Sequence, residues 1–416
     1  MARTVKQQVA NPFFTTILIP DEYFCDRDAE TARMLGYLQN GNNIVLKAQR
    51  RIGKSSLILH LFQQKEIVRH YNTLRVDLYK TSNEQDFVRE FGKAFLQAPF
   101  AKGEKDKKKL LDAIPEIKVY ANLNFGFFKT GVEAQIHSEF DSTIEKMFRF
   151  LEETEKPNIV VFDEFQTVEE YPEKMPAILR THIQKMNHTK FIFSGSERHM
   201  LDSMFNEENK PFYKSALPME LEIISLPVYR EFCQRLFDLR CKTVTDAAVD
   251  FIYYLFSANT YEMQQAMNLA FALTAEGQIA DIKMMKWAID EILTANDSFY
   301  RELLARSSSE KERNLLQCLA VEGLASGLTS QEKIWKYNLG GASSVQASLK
   351  KLTDPKRNAL IVEIGRNNYR LQDKFFELWL ASQIGILDNK YDAAQDLFHR
   401  ELSAMKELPK MAKLSL

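Results

Sequence analysis

Apolar and polar positions along this chain recur with two different periods, and the places where the period changes mark out its elements. Ile44-Val45-Leu46, with Ala48, is a short apolar run of the kind that forms a buried strand. Leu57-Ile58-Leu59 and Leu61-Phe62 follow at a spacing suited to a helix. Leu74-Arg75-Val76-Asp77-Leu78 alternates like a strand, and Glu84 to Leu96 is helical. Ser142 to Glu153 is amphipathic and leads to a second apolar run, Ile159-Val160-Val161-Phe162. A helix from Met175 to Met186 then precedes a third run, Phe191-Ile192-Phe193, and Leu221-Glu222-Ile223-Ile224 is the last strand. Strands alternating with helices predict an α/β fold, a parallel sheet covered by helices on both faces.

One stretch departs from that rhythm. Ile117 to Phe125 and Val132 to Phe140 read as two strands around Gly126 to Gly131, a β-hairpin inserted at about residues 97–140. The charged run Lys102 to Lys109 reads as a solvated loop. Near the N-terminus, Phe24 to Glu30 reads as a turn into a helix, with Asp28 at its N-cap and Ala29 to Leu38 as its body.

From Pro227 the strand signals stop. Val228 to Phe232, Thr245 to Phe256, Met263 to Leu273 and Lys283 to Leu293 predict a small all-α lid, and Ser307-Ser308-Ser309 marks a linker. Beyond it, Asn314 to Leu324 is helical, Thr329 with Glu332 makes a capping box for a second helix through Tyr337, and Ser343 to Leu352 is a third helix after the turn Gly340-Gly341. Ala359 to Ile364 and Tyr369-Arg370-Leu371 flank a hairpin turn at Gly365 to Asn368. Three helices and a hairpin predict a winged helix-turn-helix. Tyr391 to Leu408 reads as one amphipathic helix, stopped by Pro409. The expected domains are therefore 1–226, 227–305, 306–385 and a helical tail, 386–416.

Composition mainly excludes. The 416 residues carry 55 Lys and Arg against 56 Asp and Glu, so no global charge favours nucleic acid or membrane, and any basic surface must be local. Cys25, Cys233, Cys241 and Cys318 are scattered without a paired spacing and read as reduced thiols of a cytoplasmic protein. Met1 to Phe14 lacks an apolar signal core, and no apolar run approaches a membrane span, which predicts no membrane partner.

The candidate chemistry sits at the ends of two strands. After Ala48 the chain reads Gln49-Arg50-Arg51-Ile52-Gly53-Lys54-Ser55-Ser56-Leu57. A strand, a tight loop and a helix N-terminus form an anion site, because loop N–H groups converge and the helix dipole favours negative charge. Lys54 is placed for β- and γ-phosphates and Ser55 for Mg²⁺, as in a Walker A loop, with Ala48 standing where the first glycine is usual. Pro157 to Glu164 is the matching Walker B pattern: four apolar residues end in Asp163, for the Mg²⁺ shell, and Glu164, for polarising the attacking water. Ser194 or Ser196, after the third run, has a hydroxyl suited to sensing the γ-phosphate.

With these motifs in view the chain resembles the prokaryotic P-loop ATPases called archaeal-type ATPases, related to AAA+ and STAND NTPases. The matching stretches are Asn11-Pro12-Phe13, Phe24 to Glu30, Arg50-Arg51-Ile52-Gly53-Lys54-Ser55-Ser56-Leu57, Val161 to Phe165, Phe193 to Ser196 and Tyr369 to Trp379. The resemblance implies an AAA+-like core, a helical lid and a C-terminal winged helix, with ATP and Mg²⁺ as ligands. It implies that the segment around Phe24 and Arg27 lies beside the adenine. Lys214-Ser215 stands where many relatives carry Gly-Arg, and lysine lacks the planar fork of an arginine finger, which implies slow hydrolysis or help from a partner.

The reading is an ATP-dependent switch, closed between core and lid by the γ-phosphate, that exposes or hides the winged helix. The alternatives are a DNA-binding module or a protein-docking scaffold in which nucleotide is structural. For the winged helix, Ser344, Ser348 and Lys351 are expected to face outward, with Gln346 available to read bases. Lys356, Arg357 and Arg366 would supply phosphate contacts, and Asp354, Glu363 and Asp373 would oppose DNA. Oligomeric state is left open.

Overall fold

The structure, a computed structural model, describes residues 9–117, 140–172, 174–307, 309–354 and 359–397. The chain divides into two units, Thr16–Ile223 and the described residues of Met1–Thr15 with those of Ile224–Leu416.

In the first unit, strands β1 (Ile44–Ala48), β2 (Asn72–Asp77), β3 (Asn158–Asp163), β4 (Thr189–Gly195) and β5 (Leu217–Leu221) form one sheet in the order β2-β3-β4-β1-β5. Every pairing in it is parallel. Strand alternation divides the apolar side chains between two cores. Val45, Val160, Phe162, Phe191 and Phe193 face α4 (Glu84–Gln97) and α6 (Phe140–Glu152), meeting Phe87, Phe91, Ile144 and Met147. Ile44, Leu46, Ile159, Val161 and Ile192 face α1 (Asp28–Gln39) and α2 (Lys54–Gln63), meeting Met34, Leu38, Leu57 and Leu61. Phe162 lies 5.5 Å, between ring centroids, from both Phe87 and Phe91. Burying one such ring stabilises the fold by about 1.5–3 kcal/mol. Helices α3 (Lys65–His70), α7 (Met175–Ile183) and α8 (Arg198–Asn206) complete the layers.

Three local expectations for this unit need correction; the last strand, expected at Leu221 to Ile224, is β5 and ends at Leu221. The charged run is not a loop: Glu104–Ala113 forms helix α5, because Leu110 is fully buried and Leu111 packs against the same core while the lysines stay in water. Helix α1 begins at Asp28 itself, after Arg27 in a left-handed conformation, so Asp28 lies in the first turn instead of capping it. The expected hairpin falls on 118–139, outside the described residues; at its borders Ile117 is buried and Phe140 opens α6.

The second unit begins with helices α9 (Leu226–Asp238), α10 (Asp246–Leu255), α11 (Thr260–Leu273) and α12 (Ile282–Ala295). Thr245 and Asp281 cap α10 and α12 by accepting from Ala248 N and Met284 N. Two short strands, β6 (Thr243–Val244) and β7 (Ile279–Ala280), pair in parallel. The segment around Phe13 belongs with these helices and not with the 1–226 core expected for it. Phe13 is fully buried against Phe232, Phe237 and Phe271. Asn11 Nδ2 donates to Asn268 O at 2.8 Å and Asn268 Nδ2 donates to Phe13 O at 2.6 Å, a reciprocal amide clamp.

Helices α13 (Asp297–Ala305), α14 (Glu310–Glu322), α15 (Gln331–Lys336), α16 (Ala342–Leu352) and α17 (Lys374–Gln383) follow, with strands β8 (Ala325–Ser326), β9 (Ile361–Glu363) and β10 (Asn368–Leu371). The strands form an antiparallel wing in the order β8-β10-β9. Ser330, not Thr329, caps α15 through Lys333 N. Helix α13 belongs to this module as well, since Tyr300 lies 5.7 Å from Phe376 and Trp379 Nε1 donates to Asp297 Oδ1 at 3.0 Å. The module therefore starts before the boundary expected at 306. Residues 387–397 are helical, and Tyr391 donates to Asp290 Oδ1 at 2.9 Å; the rest of the expected tail helix lies outside the described residues.

Candidate functional site

The loop after β1 takes its shape from two left-handed residues, Arg51 with φ 67° and Gly53 with φ 91°. Gly53 is the N-cap of α2, where an absent Cβ makes that conformation free of strain. Ala48 is still within β1, paired with Leu221, and is not among the residues with positive φ. The substitution of the usual first glycine is thereby accommodated: this loop makes its left-handed turns later. Helix α2 opens at Lys54, so the N–H groups of its first turn have no partner within the helix.

Lys54 reaches across to the end of β3. Its Nζ donates to Glu164 Oε1 at 2.8 Å and lies 3.1 Å from Asp163 Oδ1. Lys54 is only 7% exposed and Asp163 only 2%. Ser55 Oγ donates to Asp163 Oδ2 at 3.1 Å and Ser194 Oγ to Asp163 Oδ1 at 2.7 Å. Ser194 reaches Asp163 because the two are register partners on β4 and β3. Burial pushes the Asp163 carboxyl up, but the Lys54 ammonium, the Arg75 guanidinium and the Ser194 hydroxyl outweigh it and hold it well below the usual carboxylate range.

Glu164 follows in a left-handed turn, φ 55° and ψ 45°, which costs a residue with a Cβ about 1–2 kcal/mol. Its carboxylate offsets this by gathering donors. Gln166 Nε2 donates to Oε2 at 2.7 Å, Ser196 Oγ at 2.8 Å and Ser196 N at 3.1 Å. Burial raises this carboxyl, but the attraction of Lys54 prevails, despite the repulsion of Asp163, and keeps it ionised. Arg50 Nε donates to Ser196 Oγ at 3.2 Å, and its guanidinium lies 5.9 Å from the centre of the Tyr79 ring.

The structure thus brings Arg50, Lys54, Ser55, Asp163, Glu164 and Ser196 into one cluster, with Arg51, Ile52 and Gly53 in the loop above and Ser56 in the first turn of α2. Ile52 is buried in the core beneath. Phe24 and Arg27 stand apart from that cluster. Phe24 stacks on His60 of α2, centroids 4.1 Å apart and planes within 1°. Arg27 is buried, donating to Glu30 Oε1 and to Glu222 O at 2.6 Å each. Lys214, where an arginine finger is expected, is left-handed with φ 49° and its Nζ lies 4.9 Å from the Tyr213 ring centre. Sequence reasoning missed Arg75, which donates to Asp163 Oδ2 from Nη2 at 2.6 Å and Nε at 3.2 Å, and Gln166. The available signal was a lone arginine inside an apolar alternation.

On the winged helix, two of the residues expected to face outward do not. Ser348 is buried with Val345 and Leu349, and Lys351 donates to both carboxylate oxygens of Glu312 at 2.8 Å. Ser343, Gln346 and Lys350 of α16 and Arg366 of the wing turn are exposed, and Ser344 is half-buried. Lys356 and Arg357 lie outside the described residues. Trp335 of α15 is 87% exposed.

Comparison with known proteins bears on the fold. The family described as the probable winged helix domain matches residues 298–382, in agreement with the module beginning at α13. No curated protein matches the chain. Among solved structures, the Walker-type ATPase of Pyrococcus abyssi is similar over 89% of this chain and 99% of its own, at 19% identity and a TM-score of 0.57. The Aeropyrum pernix Orc2 protein, solved as ADPNP and ADP complexes, is similar over 92% of this chain and 97% of its own, at 14% identity and TM-score 0.51. The Aeropyrum pernix Orc1 protein, solved in complex with DNA, is similar over 88% and 96%, at 13% identity and TM-score 0.50. Among the described residues no helix is long and apolar enough to cross a membrane. The chain therefore has the fold of the archaeal Walker-type ATPases and the AAA+ Orc proteins: a five-stranded parallel core with a C-terminal winged helix.

Proposed function

We propose that this chain binds ATP at the loop after β1, hydrolyses it slowly, and uses its nucleotide state to control the C-terminal winged helix. One observation carries the reading. Lys54 and Glu164, 110 residues apart in sequence, meet at 2.8 Å, with Asp163 and Ser55 joined beside them at 3.1 Å. The triphosphate would lie along the N–H groups of the loop and of the first turn of α2, and Lys54 would turn from the carboxylates to the β- and γ-phosphates. That turn frees Glu164 Oε1 to accept a proton from the attacking water as its oxygen bonds the γ-phosphorus and the bond to the bridging oxygen of ADP breaks. Ser55 and Asp163 are hard oxygen donors of the kind Mg²⁺ takes, and a bound Mg²⁺ would neutralise charge between the β- and γ-phosphates. Phe24, Arg27, Arg50, Arg51 and Ser196 complete the proposed nucleotide-contacting set. Hydrolysis is slow on this account because Lys214 cannot act as an arginine fork.

Turnover tests the reading. Glu164→Gln should bind ATP as the unmodified protein does and lose its hydrolysis, by about a hundredfold or more. Phosphate release at the unmodified rate would reduce Glu164 to a strand-end residue and overturn the mechanism.

The winged helix would meet a macromolecular partner. DNA is the partner suggested by the Orc1 likeness and by the exposed Lys350 and Arg366. The exposed Trp335 favours a protein instead, since an indole is an effective interface anchor.

A further inference from the structure

We infer that Arg75 is a built-in counter-ion standing in the metal's place at Asp163, and that displacing it sets the Mg²⁺ requirement for nucleotide binding. The inference rests on the reading of this site as an ATP site.

The geometry is specific. Arg75 donates two hydrogen bonds to a single oxygen, Asp163 Oδ2, from Nη2 at 2.6 Å and Nε at 3.2 Å. The same oxygen accepts from Ser55 Oγ at 3.1 Å. Ser55 and Asp163 are the two residues with donors suited to Mg²⁺, so the guanidinium is bonded to an oxygen that Mg²⁺ would use. A divalent ion bonds oxygen at about 2.0–2.1 Å. Drawn to this carboxylate, directly or through a bound water, it would compete with the guanidinium's two hydrogen bonds, and the two cations repel. Lys54 and Arg75 both pair with Asp163, and Lys54 pairs with Glu164 as well, so each carboxylate already has a cationic partner.

Arg75 has somewhere to go. Asp77, two residues on along β2, places Oδ2 3.7 Å from the same Nη2, and its side chain is half exposed. A short swing from Asp163 to Asp77 opens the metal's place and keeps the guanidinium paired. Before the swing, the guanidinium is a positive charge beside the phosphates, so nucleotide binding does not depend wholly on Mg²⁺. After it, Asp163 is free to act as a ligand. Arg75 is therefore a positioning residue, acting on the metal through Asp163.

The experiment is a Mg²⁺ titration of binding of a fluorescent ATP analogue, from EDTA upward, on full-length protein. In Arg75→Gln, half-saturating Mg²⁺ should fall about tenfold, the low end of what one adjacent charge does to a carboxylate, and binding in EDTA should weaken. Arg75→Lys, which keeps the charge, should move both values back. Asp77→Asn, which removes the alternative partner, should raise the Mg²⁺ needed. Thermal melting of each variant without nucleotide establishes that it is folded; if Arg75→Gln is not, the Asp77→Asn titration decides. Binding with unshifted titrations in the folded variants overturns the inference alone and leaves Arg75 as a brace between β2 and β3. No binding by the unmodified protein at any Mg²⁺ concentration overturns the ATP reading and the inference with it.

Discussion

Gly195, the last residue of β4, is where a single added carbon does the most. A Cβ there would lie 2.1 Å from Gln166 Oε1 and 2.9 Å from Leu201 Cδ1, and Gln166 is itself buried and bonded to Glu164. Gly195→Ala should therefore lose about 1–3 kcal/mol of stability in urea unfolding, the range for overpacking a filled site. An unchanged midpoint would mean that Gln166 moves at no cost and does not hold Glu164. At this scale the sequence was most informative where spacing carries chemistry. Lys54, Ser55, Asp163 and Glu164 converge as their motifs imply. Gln166 and Arg75 were not legible, because their importance comes from a turn and from a strand neighbour that no local pattern states. For the same reason Ser348 and Lys351 were misplaced: a helix's outward face depends on what packs against it, and here Glu312 of α14 takes Lys351.

Elements follow a similar rule. The buried strands β1, β3 and β4 announce themselves as apolar runs, whereas β6, β7 and β8, two residues each, are too short to carry a period. Helix α5 looked like a loop because lysine dominates its composition and Leu110 alone is fully buried. Phe13 was placed with the wrong unit because burial of one ring says nothing about which distant helices bury it. The packing of α9 and α14 can be checked with their thiols. Cys233 in α9 and Cys318 in α14 are fully buried, Cys25 is also buried, and Cys241, just after α9, is exposed. Burial pushes the Cys318 thiol up to about 12, which removes the reactive thiolate. Titration of the native protein with an aromatic disulfide reagent should therefore reveal one fast thiol, and Cys241→Ser should abolish it. A second fast thiol would contradict the packing of these elements.

For the whole molecule, an architecture shared at 19% identity shows that the fold tolerates replacement of most side chains. The partner of the winged helix is the least determined feature, since Lys350 and Arg366 are few cations for DNA. If DNA is the partner, anisotropy on a random duplex should show weak binding that falls steeply with salt. Alanine at both Lys350 and Arg366 should weaken it uniformly across sequences. Binding indifferent to salt or to that double change would leave Trp335 and its surroundings as a protein-docking face. Every other proposal depends on ATP binding where Lys54 faces Asp163 and Glu164. Calorimetry with ATP and Mg²⁺, on the unmodified protein and on Lys54→Ala shown by circular dichroism to be folded, tests it most directly. The account predicts a saturable heat of binding for the first and an affinity at least about a hundredfold lower for the second, the scale for removing one partner of a buried charge pair. Equal affinity in the two proteins, or no binding by the unmodified one, would contradict it.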